Sequence, residues 1–484
     1  MRHSKLVLFA ITIILLFSVP TASAISQTPT CPSSPTVEEI LNQVTQDSIV
    51  QWIRNFSGED FIPIGVSQRK ILTRYSYQLF NMNVNALAYP YLGEQLMSFG
   101  YEQGTSLTDH SYSAYMSFQS KERAIRQWIG ENSNGLLSLD KDIAVIDQSY
   151  SWKNKVVTIP GHGPNADEIV LMTAHLDSTS TSPNTLAPGA EDNASGIAAL
   201  MEAARLFRFY KFDRTIKIIF FTGEEQGLLG SVAYVADFPA EMANIVGVVN
   251  LDMFGYDSNN DRCFELHVGT MASSNQVGTC FSNVNTNYGL GLSFDYLTSG
   301  ATGASDHASF WDAGVGAVEV LENYFNNGLP NGCSGQDRNP WYHTTNDKIA
   351  FMNLPVTLAI AQAGIGTAAS LAAPLGRCFA TDPDVTATAL SNSIQLTWPE
   401  VVDADVYNVY RGTTTCEGSF TKVAQVTSNT YEDTDIEIGQ TYFYKVQAAE
   451  TGAVCYSQLS NCAVAIVEEP VFFDFFIPLV IAGD

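Results

Sequence analysis

Residues 169–178 read Ile-Val-Leu-Met-Thr-Ala-His-Leu-Asp-Ser, and residues 216–225 read Ile-Lys-Ile-Ile-Phe-Phe-Thr-Gly-Glu-Glu. Each is an apolar run that ends in side chains able to ionise or bind metal. The runs Ile169 to Ala174 and Ile216 to Phe221 are near-continuous rather than alternating, the pattern of strands buried on both faces. Between them Ile197, Leu200, Met201, Ala204 and Phe207 recur at helical spacing, behind Asp192 and Asn193, either of which can cap a helix. Strand, helix and strand make a βαβ unit, and the runs Ile245 to Leu251 and Val315 to Leu321 continue the pattern. The fold class is therefore α/β before residue 374, with its chemistry expected just beyond the carboxyl ends of the strands.

Those positions carry candidate ligands. His175 and Asp177 follow the first run, Glu191 and Asp192 precede the helix, Glu224 and Glu225 follow the second run, and Asp252 follows the third. Downstream, Tyr342-His343-Thr344-Thr345-Asn346-Asp347 supplies a second histidine. Singly, such residues are usually loop hydrogen-bonders or caps. Together, six such carboxylates with two imidazoles are different, because they would crowd negative charge into one crevice unless a cation relieved it. Imidazole with carboxylate and no thiolate suits zinc at a catalytic site. Two zinc ions about 3.5 to 4 Å apart would share one bridging carboxylate. Of the neighbours Glu224 and Glu225, one can ligate while the other stays free as a base.

The ordered set His175-x-Asp177, Asp192-Asn193-Ala194-Ser195-Gly196, Gly223-Glu224-Glu225, Asp252 and His343-Thr344-Thr345, with Ser305-Asp306-His307-Ala308-Ser309-Phe310 between the last two, resembles the secreted dizinc aminopeptidases. That family includes aminopeptidase Y and bacterial leucyl aminopeptidases, with relatives among glutamate carboxypeptidases and glutaminyl cyclases. The resemblance covers roughly residues 40 to 373, and Thr73-Arg74-Tyr75-Ser76 is similar to a segment near the start of that domain. It implies a mixed, mostly parallel sheet between helices. It also implies that Asp192 bridges two zinc ions, with His175 and Asp252 completing one site and Glu225 and His343 the other. Glu224 would be the general base and Asp177 the carboxylate that orients His175.

The chemistry expected is hydrolysis at peptide N-termini. A metal-bridging water with its pKa lowered toward roughly 7 gives its proton to Glu224, attacks the peptide carbonyl, and Glu224 returns the proton to the leaving amine. A related metallo-carboxypeptidase or a glutaminyl cyclase is the alternative, the cyclase needing a single zinc. A third reading, a binding protein with an inactive copy of the domain, would be free to lose ligands or Glu224, and none is missing. His307 is read as outside the ligand set, and His110, His162 and His267 as solvated or loop residues. Met253 either lines the pocket for the first side chain or belongs to the core.

Composition sets the frame. The 484 residues are 45% hydrophobic and 11% aromatic, enough to bury a sizeable core, and 24 Lys and Arg stand against 50 Asp and Glu, a net charge of -26. So acidic a chain repels nucleic acid and anionic lipid. Arg2 and Lys5 precede an apolar run from Leu6 to Val19 that ends in Pro20, Ala22, Ser23 and Ala24, so residues 1–24 read as a signal peptide and the protein as secreted. Disulfides persist in that compartment, and all eight cysteines lie beyond the leader. Cys263 and Cys280 are candidates to pair, while Cys416, Cys455 and Cys462 look local to the C-terminal region.

The remaining segments divide the chain. Residues 25–60 are either a removable pro-segment or the first helix of the α/β domain at 61–373. Val356 to Ala373 is uncharged but poor in large aliphatics, so it reads as a packed helix rather than a membrane span. Pro374 to Pro383 marks a boundary. Beyond it, Ser393 to Trp398, Val406 to Tyr410, Lys422 to Val426 and Tyr442 to Ala448 are short β-rich runs of an all-β sandwich over 384–467. With Trp398 as a core residue and Gly439 to Ala448 as a strand with a tyrosine corner, this region resembles a fibronectin type III domain. The apolar tail 468–484 is broken by Asp474 and Pro478 and is too short to span a bilayer.

Overall fold

The computed structural model describes residues 31–64, 67–76, 87–115, 149–325, 332–452 and 454–469. The expected leader and the tail from residue 470 lie outside them. Among the described residues the helices are α1 (Pro35–Asn42), α2 (Gln46–Phe56), α3 (Ala88–Ser98), α4 (Ala194–Phe207), α5 (Leu229–Asp237), α6 (Pro239–Met242), α7 (Ala272–Asn287), α8 (His307–Asp312) and α9 (Leu354–Leu371). The strands before residue 374 are β1 (Ile62–Ile64), β2 (Ser67–Arg69), β3 (Leu107–Tyr115), β4 (Ser149–Ile159), β5 (Ile169–His175), β6 (Tyr210–Phe212), β7 (Thr215–Phe221), β8 (Ile245–Leu251), β9 (Cys263–His267), β10 (Ser293–Leu297) and β11 (Ala317–Glu322).

Eight of these strands form one sheet in the order β10-β9-β11-β8-β5-β7-β4-β3. The centre, β11-β8-β5-β7, is parallel throughout, β9 and β10 are parallel to each other, and β9, β4 and β3 join antiparallel. The sheet is thus mixed and mostly parallel, with helices on both faces. Pleating explains the continuous apolar runs. Val170, Met172 and Ala174 of β5, with Ile216, Ile218 and Phe220 of β7, pack in the large core with α4 and α9. Leu171, Ile219 and Phe221 point the other way, toward Tyr234 of α5 and Phe310 of α8. Alternate residues feed opposite cores, so a polar side chain here needs a partner, as Thr173 finds in Asn250 at 2.8 Å.

Helix α9 is the one described helix long and apolar enough to cross a membrane, and 72% of it is buried inside the protein. It belongs to the core. The helices α1 and α2 pack into the same layer. Trp52 and Ser48 of α2 donate to the buried carboxylate of Glu202 on α4 at 2.9 Å each, and Cys31 is disulfide-bonded to Cys280 on α7.

The cysteines correct an expectation, because Cys263 and Cys280 do not pair. Cys280 lies on α7 against the N-terminal segment and bonds Cys31, whereas Cys263 opens β9 and bonds Cys333 in the loop beyond β11, its neighbour in the sheet. A disulfide needs Cα atoms roughly 4.4 to 6.8 Å apart, and topology rather than sequence proximity supplies that. Two histidines also differ from expectation. His110 and His267 sit buried on β3 and β9, where His110 meets Asn154 and Asp237, and His267 meets Glu265 and the N–H of Thr302. Polar partners inside the sheet make burial affordable for an imidazole.

After the short strand β12 (Pro374–Arg377), which pairs with β6, come two antiparallel sheets. One contains β13 (Thr386–Ala389), β14 (Ile394–Thr397) and β17 (Thr430–Asp433); the other contains β15 (Val406–Gly412), β16 (Thr421–Val426), β18 (Thr441–Ala449) and β19 (Ala463–Ile466). They enclose one core around Ile394, Leu396, Trp398, Tyr407, Val409, Tyr444 and Val446. Cys416–Cys462 lies within this unit, and Cys378–Cys455 ties it to the linker, a role for Cys378 that the sequence did not suggest. Tyr456 donates to the carbonyls of Arg208, through its N–H, and Gly100, through its hydroxyl, so the β-unit rests on the far end of α4 from the strand-end crevice.

Candidate metal centre

The sheet carries the candidate residues to one place. His175 is the last residue of β5, Asp252 follows β8, Glu224 and Glu225 follow β7, and Asp192 precedes α4. Asn193 caps α4 by accepting the Gly196 N–H at 2.9 Å, which fixes where Asp192 leaves the helix. The turn before Glu224 requires glycine: Gly223 has φ +73°, and a Cβ there would lie 2.5 Å from the Trp152 ring. His343 arrives from the loop that leads into α9.

Two groups result, sharing one residue. His175 Nε2 is 3.0 Å from Asp252 Oδ1 and 3.2 Å from Asp192 Oδ1. His343 Nε2 is 3.0 Å from Glu225 Oε2 and 3.1 Å from the other oxygen of Asp192, Oδ2. Within each group the candidate ligand atoms lie within 4.8 Å of one another. The donor set is carboxylate and imidazole only, and Glu225 Oε1 is buried with no hydrogen-bond partner among the described residues. An orphaned buried carboxylate oxygen and a carboxylate split between two imidazoles fit a pair of bound cations better than they fit a closed hydrogen-bond network.

Without a cation the site is electrostatically tense. Burial pulls the His175 imidazole down, but Asp252, Glu224 and Asp192 outweigh it and hold it well above its ordinary range. Burial opposes the charge of His343 as well, yet Glu225 and Asp192 raise it to about 10. Burial would lift Asp192, and the two imidazoles instead hold it below the usual carboxylate range. Glu224 belongs to neither group; burial, reinforced by Asp252 and Glu225, pushes its carboxyl well up.

Several residues around the groups were not assigned by sequence. Asp347, quoted in the motif of His343 but given no role, accepts the N–H of Glu191 at 3.1 Å and of Asp192 at 3.0 Å. Arg74 is wholly buried and donates to the carbonyls of Phe56, Leu176, Pro188 and Gly189, lacing the loops on either side of the site together. Tyr342 stacks on His343 with ring centroids 3.7 Å apart. Burial and then Asp192, Glu225 and Glu224 raise its phenol well above the ordinary value, so it stays protonated.

Asp177 differs in detail from its expected part. Its backbone carbonyl, not its carboxylate, meets His175 Nδ1 at 3.0 Å, and the nearest carboxylate oxygen is 3.7 Å away. That carboxylate accepts from Ser76 Oγ at 2.8 Å and from the N–H groups of Glu224 and Glu225 at 3.3 Å each. The reason is geometric: two residues beyond the strand end, the chain has turned and the side chain reaches the neighbouring β7 turn. His307 lies outside both groups, its Nε2–H donating to the Thr302 carbonyl at 2.9 Å, and Met253 is buried beside Asp252.

Residues 154–367 match the family model described as Peptidase family M28. The chain is 35% identical over 184 residues to aminopeptidase YwaD of Bacillus subtilis, covering 38% of this chain and 36% of that one. It is 30% identical over 252 residues to leucine aminopeptidase 1 of Trichophyton equinum, covering 50% of this chain and 64% of that one. The chain thus spans less than two thirds of the length of either relative. Among solved structures it is similar to the aminopeptidase from Aneurinibacillus sp. strain AM-1, with a TM-score of 0.48 and 18% identity over 70% of this chain and 96% of that one. The segment that matches the Peptidase family M28 model contains His175, Asp177, Asp192, Glu224, Glu225, Asp252 and His343.

Proposed function

We propose that the protein is a secreted, zinc-dependent aminopeptidase that holds two zinc ions and removes residues from peptide N-termini. The observation that carries this reading is Asp192, whose two oxygens face His175 and His343 separately while Glu224 stands outside both groups. His175, Asp192 and Asp252 would hold one ion and Asp192, Glu225 and His343 the other. Zinc bound there would polarise a peptide carbonyl and lower the pKa of a water toward roughly 7.

The residues of the chain do the rest. Glu224 accepts the proton of the attacking water and returns it to the leaving amine, a role that suits a buried carboxyl with its pKa raised. Asp177 fixes that base by holding the N–H groups of Glu224 and Glu225. The Tyr342 phenol, whose ring stacks on His343 and which stays protonated, would supply a donor for negative charge developing on the carbonyl oxygen. The concentration of carboxylates favours a positively charged α-amine, which supports exopeptidase action at the N-terminus. Relatives named aminopeptidases support the same class, and two separate ligand groups count against a cyclase that needs one zinc.

Secretion is supported by four disulfides and the leader-like start. For the C-terminal unit the fibronectin type III reading is supported by its three-plus-four strand arrangement, by buried Trp398, and by Tyr442, whose hydroxyl accepts the Glu437 N–H at 2.9 Å.

Hydrolysis of a free-amine aminoacyl anilide and its N-blocked analogue tests the function. The free-amine compound should be cleaved and the blocked one spared, chelator should abolish the activity and zinc restore it, and Glu224→Gln should lower kcat by roughly 10² to 10⁴. Equal cleavage of both, or activity in the variant, would overturn the proposal.

A further inference from the structure

In so acidic a chain, a cation without a counter-ion beside the metal centre calls for a purpose. Arg338 is exposed, and among the described residues no carboxylate lies within ion-pair distance of it. Its guanidinium carbon sits 4.1 Å from the centroid of the Tyr324 ring and 5.3 Å from that of Tyr342. Tyr324 meets Tyr342 edge-on at 5.7 Å, and Tyr342 stacks on His343, so an unbroken run of rings joins Arg338 to a residue of the metal groups.

The backbone around it is held from both sides. Asp337 accepts the N–H and hydroxyl of Ser258 at 2.6 Å each, and its own N–H donates to Asn323 at 3.0 Å. Asn339 donates its N–H to Glu322 at 2.9 Å and its side-chain amide to Glu191, next to Asp192. The disulfide Cys263–Cys333 anchors the same loop upstream. A long side chain on an exposed loop is ordinarily free to wander; this one starts from a pinned backbone and lies on two aromatic faces, which orient a planar guanidinium. Its field reaches buried Glu322, but no N–H of Arg338 comes within ion-pair distance of it, so the fork of donors remains open.

We infer that Arg338 binds a carboxylate of the substrate next to the scissile bond, making the enzyme selective for acidic residues or free C-termini at that place. This rests on the aminopeptidase reading of the site. The carboxylate could belong to the first side chain or lie on the leaving side, and the shared chemistry is a bidentate pair with the guanidinium.

The test compares kcat/KM ratios in the wild type and in Arg338→Gln and Arg338→Lys. One pair is Glu- against Gln-anilide; the other is the dipeptide Leu-Gly against its C-terminal amide. In the wild type one acid-to-neutral ratio should exceed its counterpart in Arg338→Gln by roughly tenfold, carried by KM, with partial rescue in Arg338→Lys. The pair that responds identifies the side. Ratios unmoved by the substitution, even if all rates fall together, would overturn the inference. Calorimetric binding of Leu-Gly and its amide to zinc-loaded Glu224→Gln protein, with and without Arg338→Gln, reads the same ratio without turnover. If no anilide or peptide is cleaved by the wild type, the aminopeptidase reading fails, while the binding ratio still decides the role of Arg338.

Discussion

Asp347 accepts the backbone N–H of Asp192 at 3.0 Å, so the residue four places after His343 holds the residue that both candidate metal groups share. Its other oxygen takes the Glu191 N–H. Burial, with Asp192 close by, raises its own carboxyl to about 7. Replacing Asp347 with Asn turns one acceptor into a donor facing an N–H. Residues that orient ligands typically change metal affinity by about 10- to 100-fold. Zinc retention in a chelator titration should therefore weaken by that factor in Asp347→Asn with the fold retained by circular dichroism; unchanged retention would remove Asp347 from the site.

Arg74 predicts a stability effect rather than a catalytic one. Burial lowers its pKa to about 10, so it remains charged at neutral pH, and four backbone carbonyls accept hydrogen bonds from its N–H groups. Arg74→Met would leave those carbonyls without a donor, each costing about 1 to 3 kcal/mol. Urea unfolding should show a loss of at least about 3 kcal/mol. A loss under about 1 kcal/mol would mean that water satisfies these groups and that the lacing is incidental.

His307 predicts an acid limb. Buried at the start of α8, its imidazole is pushed down to about 3, so the folded protein keeps it neutral where the unfolded chain binds a proton. Stability from this group is fully present above about pH 6.5 and falls as pH drops toward 3, by at most about 1.4 kcal/mol per pH unit. His307→Gln should flatten the slope of unfolding free energy between pH 6 and 4 by up to that amount. An identical slope in the variant would show that His307 already carries its proton in the folded state.

The strand ends were readable because burial on both faces leaves a clear signal: apart from Thr173 the buried positions of β5 and β7 are apolar up to His175, and the cluster of ionisable residues begins where the strands stop. That Asp192, Glu225 and His343 form one group was implied by the family resemblance and not by these runs, since His343 comes from a loop outside the sheet. Asp347 and Arg74 act through backbone groups of other loops, and a side chain that hydrogen-bonds a distant carbonyl leaves no periodicity behind. Strand β13, made of alternating threonine and alanine, and the four-residue β17 carry too little apolar contrast to stand out from turns. His267 was misjudged for a related reason, since its partner Glu265 lies two residues away on the same strand, where alternation places both side chains on one face. The pairing of Cys263 depended on β11 returning beside β9, a long-range fact that spacing does not encode.

The central claim is that Asp192 is shared by two metal ions. Elemental analysis of the purified protein, after dialysis against zinc and gel filtration, measures it directly. The account predicts two zinc ions per chain in the wild type and at most about one in Asp192→Asn. A single ion in the wild type, or two retained by Asp192→Asn, would contradict it.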